Sequence, residues 1–149
     1  MAAKISAWDH SLHLTSPDGQ IAAVIDDTSE VGQGGPAYGT LKLSNEMTFK
    51  ACNPSAVWSD DSKFLAIPQW TDRRMQRLLV ISIEQASAGF APDIFRVLEL
   101  HSFSGGKIKG IDSPLHKPRE IEIDLSEIRW EDGEPAAFWQ RLLSFIGFE

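Results

Sequence analysis

The sequence predicts a mainly β protein of antiparallel, blade-like hairpin sheets, followed by one C-terminal α-helix. Short alternating apolar runs, broken by Gly, Pro, Asp and Asn, continue from residue 5 to about residue 130, which is typical of antiparallel strands. A turn-and-strand phrase occurs twice, at Ser16–Asp26 and at Ser59–Gln69. Near the C-terminus the apolar residues change to helical spacing. We therefore expect one domain over residues 1–149, with a β body at 5–130 and a helix at 135–147.

The composition bounds the function classes. Apolar residues make up 42% and charged residues 23% of the 149 residues, which is ordinary globular usage and argues against disorder. A net charge of -7 argues against anionic partners, which a protein binds through clusters of its own basic residues. We therefore expect neither nucleic acid nor a membrane surface as a partner. The single cysteine, Cys52, allows no internal disulfide, and no apolar leader follows Met1. The expected location is cytoplasmic.

The first half of the body predicts hairpins in sequence. Pro17 presets the backbone of a tight turn, and Gly19 tolerates a positive φ in it. The strands and breaks expected around this turn are Leu12–Leu14, Ile21–Ile25, a Gly-rich loop at Gly32–Pro36, Tyr38–Leu43, a turn at Asn45–Glu46, and Met47–Lys50.

The second half continues in the same way. Leu78–Ile83 is nearly all apolar and predicts a strand buried on both faces. Residues 86–92 read as a loop, or as a brief helix because of their small side chains. Further strands are expected at Phe64–Ile67, Phe95–Leu100, Lys107–Ile111 and Glu120–Leu125, the last with Ile121, Ile123 and Leu125 inward.

The C-terminal segment predicts a short amphipathic helix. Pro135 suits a first helical turn, and Gly147 suits a helix end. Apolar side chains recur at helical spacing at Phe138, Trp139, Leu142, Leu143 and Ile146. Because such a short helix is not stable alone, it must dock either on the open sheet or on another chain.

The repeated phrase resembles a known repeat family. Leu14–Ala23 matches the apolar-x-Ser-Pro-Asp-Gly-x-x-Ile-Ala phrase of WD40-like, TolB-type β-propeller repeats, and Val57–Ala66 matches it with Asp60 for Pro and Ser62 for Gly. A weaker third copy begins at Ser104. The spacings of about 43 and about 45 residues suit a four-stranded blade. The resemblance implies two to three blade-like units.

The length departs from that family, because closed propellers have about four to eight blades. We expect an open sheet or sandwich, or else an array that dimerises to close, so the chain is a monomer or a dimer. The alternative is that a favourable turn sequence simply occurs twice.

No catalytic or cofactor motif stands out. His10 and His13 fall on opposite faces of a strand, so they predict surface histidines and no metal site. Gly32–Gly35 lacks the ending of a phosphate-binding loop. Asp26–Asp27 and Asp60–Asp61 lack calcium-loop spacing, and Cys52 has no base nearby in sequence. We expect no cofactor and, on balance, no enzyme.

The candidate site is a hairpin tip that carries the residue types of protein interfaces. Its residues are Trp70, Arg73, Arg74, Met75 and Arg77. They predict a non-enzymatic protein-interaction module, of an accessory or immunity-like kind, that binds another protein through this tip or an uncovered sheet edge. The alternative for Trp70 is that it folds back onto the sheet.

Two rival functions stay open. One is a small hydrolase or ligand-binding β domain with a polar pocket at His101, Asp112 and His116. The other is a structural subunit that assembles through the C-terminal helix.

Overall fold

The computed structural model describes residues 5–131, which form strands and one short 3₁₀ turn. The strands are β1 (Leu12–Thr15), β2 (Ala22–Ile25), β3 (Thr28–Glu30), β4 (Ala37–Leu43), β5 (Thr48–Cys52), β6 (Val57–Trp58), β7 (Phe64–Trp70), β8 (Gln76–Ser82), β9 (Ser87–Phe95), β10 (Leu98–Ser104), β11 (Lys107–Asp112), β12 (Arg119–Asp124) and β13 (Arg129–Trp130). The 3₁₀ turn spans Leu125–Glu127. The predicted helix at 135–147 lies outside the described residues.

The strands form three successive units, which we call blades 1, 2 and 3. Blade 1 contains β1, β2, β4 and β5, with β3 paired to β4, and blade 2 contains β6 to β9. One pair, Cys52 with Gln69, joins these two blades into a ten-stranded sheet. Blade 3 is the separate three-stranded sheet of β10, β11 and β12. All pairs are antiparallel, and β13 returns to pair with β9 of blade 2.

The first corner, between β1 and β2, is closed by one serine and one aspartate. The Ser16 hydroxyl donates to Asp18 Oδ1 at 2.6 Å and accepts the N–H of Ile21 at 3.1 Å. The same Asp18 oxygen accepts the N–H of Gln20. Gly19 has a φ of 75°, which glycine adopts without strain. The hydroxyl hydrogen bond is the first cause of a lowered Asp18 pKa, and the Gln20 N–H is the second.

The second corner, between β6 and β7, repeats this network bond for bond. The Ser59 hydroxyl donates to Asp61 Oδ1 at 2.6 Å and accepts the N–H of Phe64 at 3.0 Å. Asp61 Oδ1 also accepts the N–H of Lys63 at 3.0 Å. Ser62 keeps the left-handed backbone of its glycine counterpart, with a φ of 64°. The repeat in the sequence is therefore a repeat in structure.

The corners also connect one blade to the next. The N–H of Asp18 in the first corner donates to the Ser62 hydroxyl in the second at 2.9 Å. The N–H of Asp60 in the second corner then donates to the carbonyl of Phe103 in blade 3 at 3.0 Å. Each corner thus donates a main-chain hydrogen bond forward to the following blade.

Blade 2 is the middle layer and is buried on both faces. Leu79 and Ile81 of β8 pack into a core shared with blade 1, whereas Leu78 and Val80 pack into a second core shared with blade 3. Side chains alternate across a strand, so a continuous apolar run serves both cores. The predicted two-face burial is confirmed for residues 78–82, whereas Ile83 lies in the turn after β8 and is half-buried.

The outer faces of the end blades are polar. On blade 1, Lys42 of β4 and Lys50 of β5 are exposed. On blade 3, Lys107 and Lys109 reach Glu122 at 3.4 and 3.7 Å. Stacked arrays need polar outer faces on their terminal units, because only the inner faces find an apolar neighbour. The strands of residues 5–131 form an open array and do not close into a ring.

Asn53 and Ser55, between β5 and β6, tie the three blades together. Asn53 is fully buried; its Nδ2 donates to the carbonyls of Ala7 and Ala37, both at 2.8 Å, and its Oδ1 accepts the N–H of Ser55. The Ser55 hydroxyl accepts the N–H of Leu100 in blade 3 at 2.9 Å. Buried polar groups are held this way because an unpaired one is costly.

Two expectations for strands need correction. Of the residues 86–92, expected to be a loop or a brief helix, only Ala86 lies in a turn; the others belong to β9, where Ala88, Phe90 and Ala91 are buried. The strand expected at Phe95–Leu100 is divided between β9 and β10, because Asp112 Oδ1 accepts the N–H groups of Arg96 and Val97 at the break. In both repeated phrases the predicted strand is confirmed, and so is the turn that precedes it.

We expect Asn53→Ala to lower the free energy of unfolding by about 3 kcal/mol, because it removes three buried hydrogen bonds of about 1 kcal/mol each and takes away the acceptor of the Ser55 N–H. Asn45→Ala is the matched control, since Asn45 is exposed and accepts only the N–H of Met47. Urea unfolding of both variants measures the difference. An equal loss of unfolding free energy in both variants would show that the hydrogen bonds of the Asn53 side chain do not hold the blades together.

The second corner predicts a pH dependence. Hydrogen bonds from the Ser59 hydroxyl, and then from the Lys63 N–H, lower the Asp61 pKa below its ordinary value of 3.8. Its contribution to stability is therefore complete above that value and is lost as the pH falls through the lower folded-state pKa. Asp61→Asn keeps an acceptor and loses the charge, so its deficit against wild type should be larger at about pH 6 than at about pH 2. Asp60→Asn is the control; a deficit independent of pH at position 61 would contradict the assignment.

Candidate functional site

The candidate site is the outer edge of β12, which pairs with β11 and with no other strand in residues 5–131. Blades 1 and 2 carry at least four strands each, whereas blade 3 has three in the part that is described. A sheet edge exposes a row of main-chain donors and acceptors that can pair with another strand. We call this edge the β12 edge.

The hairpin before it shows which main-chain groups point outward. Gly105 and Gly106 both have positive φ, so β10 and β11 are joined by a two-residue turn of type I′. Lys107 next to that turn pairs with Ser104, so its main-chain groups face β10, and along β11 the facing alternates. Gly110 and Ile108 therefore face β12, where their partners are Ile121 and Ile123.

It follows that Glu120, Glu122 and Asp124 direct their main-chain groups away from β11. The N–H of Asp124 supports this assignment, because it donates to Glu127 Oε2 at 2.8 Å and not to the sheet. The Asp124 carboxylate in turn accepts the Ser126 N–H at 2.9 Å, which is the first cause of its lowered pKa. This capping box ends the edge. The N–H groups of Glu120 and Glu122 are the donors left at the open edge.

A groove of about 370 Å³ lies beside this edge, between β12 and the end of β9. We call it the edge groove. Its acidic side chains are Asp93, Glu120 and Glu122, and its apolar ones are Ile94, Phe95, Ile121 and Ile123. Ile94 is 45% exposed, so it offers apolar surface to a ligand in the groove. The groove is therefore amphipathic and borders a strand edge that no other strand of residues 5–131 pairs.

Among residues 5–131, the one basic side chain that lines the edge groove is already engaged. Arg119 Nη2 donates to Asp112 Oδ2 at 3.3 Å. The Asp112 carboxylate is itself largely buried and also holds the start of β10. The edge groove consequently presents more negative than positive charge to a ligand.

The predicted hairpin tip is only partly available for binding. Trp70 folds back: it is 2% exposed, and its Nε1 donates to the carbonyl of Ala37 at 3.1 Å. The guanidinium of Arg77 lies 4.3 Å from the centre of the Phe90 ring, and burial lowers its pKa. Arg73 and Arg74 are exposed in the turn, and Met75 is half-buried. The expectation that Trp70 is presented at the tip is corrected, and binding through the arginines stays a prediction.

The predicted polar pocket is divided between two places. Asp112 and His116 lie close together around the β11–β12 loop, where the His116 N–H donates to the Ser113 carbonyl. His101 lies on β10, and its Nε2 is 3.2 Å from Glu99 Oε1. Asp112 accepts main-chain and arginine hydrogen bonds there, which explains its burial as a structural role. His101 instead lines a different groove.

This second groove, the central groove, lies where the first strands of the three blades meet. Its volume is about 590 Å³, and it is lined by Ile5, Leu14, Thr15, Pro17, Ala56, Val57, Trp58, Asp60, Leu100, His101, Ser102 and Phe103. Trp58 fixes its wall, because the indole N–H of blade 2 donates to the Leu14 carbonyl of blade 1 at 3.0 Å. Its size and apolar walls suit a small molecule.

Other candidate chemistry is weak in the described chain. No group of three or more His, Cys, Asp or Glu side chains placed to hold a metal ion occurs within residues 5–131. Cys52 is fully buried, and burial raises the pKa of its thiol far above the ordinary range, which makes it unreactive. His13 is exposed and lies 3.1 Å from Asp26. Within residues 5–131 no helix is long and apolar enough to cross a membrane.

Sequence reasoning missed the β12 edge as a specific site. The alternation over Glu120–Leu125 identified the strand, but pairing order determines whether a strand is central or at an edge. The turn at Gly105–Gly106 was the available signal, because it fixes the direction of the main-chain groups along β11.

Comparison with known proteins supports the architecture. No protein-family model and no curated protein matches this sequence. Among solved structures, the chain is similar to the β-propeller domain of the Trilobed protease from Pyrococcus furiosus, described as having an open velcro topology. The identity is 11% and the TM-score 0.52, and the likeness covers 87% of this chain and 45% of that one. The chain thus spans less than half of the structure that it matches.

At this identity the likeness establishes the fold alone. It confirms the resemblance inferred from the two corners, and the absence of ring closure among the described strands agrees with the expected open arrangement. This chain has the fold of an open, partial β-propeller of blade-like antiparallel sheets.

Proposed function

We propose that this chain is a non-enzymatic protein-interaction module that accepts an extended segment of another protein along the β12 edge. The observation that carries the proposal is the edge of blade 3, which no strand within residues 5–131 pairs, with a groove beside it. An added strand gains main-chain hydrogen bonds from the edge and side-chain contacts from the groove.

The geometry of the edge supports this mode of binding. The outward N–H groups of Glu120 and Glu122 are two residues apart, which is the spacing at which an antiparallel partner exchanges hydrogen bonds. The capping box after β12 ends the open stretch on one side. The accepted segment is therefore short, on the order of five residues, the usual length of a strand.

We expect Glu122→Pro to weaken partner binding by about tenfold or more, because it removes an outward donor and places a ring in the partner's path. Edge strands tolerate proline where the N–H faces solvent, so the fold should persist. Glu122→Ala keeps the N–H and is the matched control. Affinity capture with each variant from a lysate of the encoding organism, quantified by mass spectrometry, provides the measurement.

A second variant and a hydrogen-exchange measurement distinguish the β12 edge from the hairpin tip. Arg73→Ala with Arg74→Ala tests the hairpin tip: loss of the same proteins in this variant and not in Glu122→Pro would move the site to the tip. In the captured complex, the amide hydrogens of Glu120 and Glu122 should exchange more slowly than in the free protein. Unchanged exchange at both amides would reject the edge.

A second candidate function, a ligand-binding β domain, is favoured by the position of His101 in the central groove. We expect Ser102→Trp to fill that groove and Ser104→Trp, exposed on the same strand outside the lining, to leave it open. Native mass spectrometry of protein purified from its own cells checks this. A small molecule bound by wild type and Ser104→Trp but absent from Ser102→Trp supports the candidate, and ligand-free protein throughout counts against it.

A further inference from the structure

We infer that the segment accepted by the β12 edge alternates basic and apolar side chains. This inference rests on the proposed function and names the chemical class of its partner. It follows from the two faces of β12, which differ sharply. Side chains directly opposite each other in an antiparallel pair lie on the same face, so each face of β12 selects alternate residues of the partner.

One face of β12 selects positive charge. Glu120 and Glu122 are exposed on it, half-buried Asp124 follows, and Asp93 adds a further carboxylate to the edge groove. Lys107 and Lys109 lie one strand further in and contact Glu122. Glu120 is opposite Ile111 in that register, so no lysine faces it across the pair. A lysine or arginine on an added strand lies next to these carboxylates.

The other face selects apolar side chains. Ile121 is half-buried and Ile123 is buried against the core shared by blades 2 and 3. Ile94, across the edge groove, is substantially exposed. Apolar residues of an added strand cover Ile121 and Ile94 and remove their surface from water, which stabilises the complex.

The alternative occupants fit less well. In a second copy of β12, Glu120 and Glu122 meet carboxylates of the same strand, and like charges in opposite positions are unfavourable. The chain's own residues 132–149 carry the helical spacing of Phe138–Ile146 and have more acidic than basic side chains. The chain also leaves its described part at β13, which pairs with β9 of blade 2 and not with blade 3.

The test uses synthetic peptides of about seven residues, the length of a strand. One alternates lysine and valine, one alternates glutamate and valine, and one alternates glutamine and valine. Calorimetric titration at low salt should give at least about tenfold tighter binding for the lysine peptide than for the glutamate peptide, because exposed charges are least screened there. The preference should shrink as salt is added.

Charge-reversal variants locate the selectivity. Glu120→Lys with Glu122→Lys should invert the preference between the lysine and glutamate peptides. Glu46→Lys with Glu84→Lys changes the net charge equally at exposed turn positions and should leave the preference unchanged. Inversion in both variants would assign the selectivity to net charge alone and overturn the inference.

The remaining outcomes separate this inference from the proposed function. Equal binding of all three peptides, abolished by Glu122→Pro, keeps the edge and rejects the basic partner. Capture that Glu122→Pro abolishes, without binding of any of the three peptides, likewise keeps the edge and rejects the basic partner. If the protein captures no partner and binds none of the peptides, both the proposed function and this inference are rejected. Dimerisation in light scattering that Glu122→Pro abolishes identifies a second copy as the occupant and overturns the inference.

Discussion

A single buried amide is the constraint on which the arrangement of the blades depends. Asn53 pairs with the carbonyls of Ala7 and Ala37, while its own N–H donates to the Pro68 carbonyl in blade 2. Ser55 carries the connection to Leu100 in blade 3. Apolar contacts are not directional, so they leave the angle between layers loosely specified. The hydrogen bonds of Asn53 and Ser55 specify it, since other arrangements leave polar groups buried without partners.

The same arrangement gives each of the three described blades an apolar neighbour. Blade 2 supplies apolar side chains to both cores through the alternation of β7 and β8, so each end blade has one apolar neighbour. The outer faces of blades 1 and 3 carry lysines and carboxylates, which are compatible with water. Within residues 5–131 the stack leaves the edge of blade 3 unpaired and turns lysines and carboxylates outward, and this feature makes strand acceptance the function that we propose.

The sequence predicts the strands better than their environments. The two serine–aspartate corners and the run Leu78–Ile83 are local patterns, and they were sufficient for a mainly β, antiparallel class with blade-like units. The position of Trp70 depends on the Ala37 carbonyl, which is distant in sequence, so its burial could not be read locally. Residues 86–92 looked irregular because small side chains in β9 fit a crowded interior, where a Cβ on Gly89 meets the Arg129 carbonyl. Edge position likewise depends on pairing between distant strands.

Ser62 gives the stack a direction. It stands where Gly19 stands in the first corner, and both have a left-handed backbone, but only Ser62 offers a hydroxyl to the N–H of Asp18. If an additional unit preceded blade 1, its corner N–H would have no side-chain acceptor at this position, because Gly19 has no hydroxyl. The contact between these two corners is therefore head-to-tail and not interchangeable, and blade 1 could offer the same hydroxyl to a unit before it only if serine replaced Gly19.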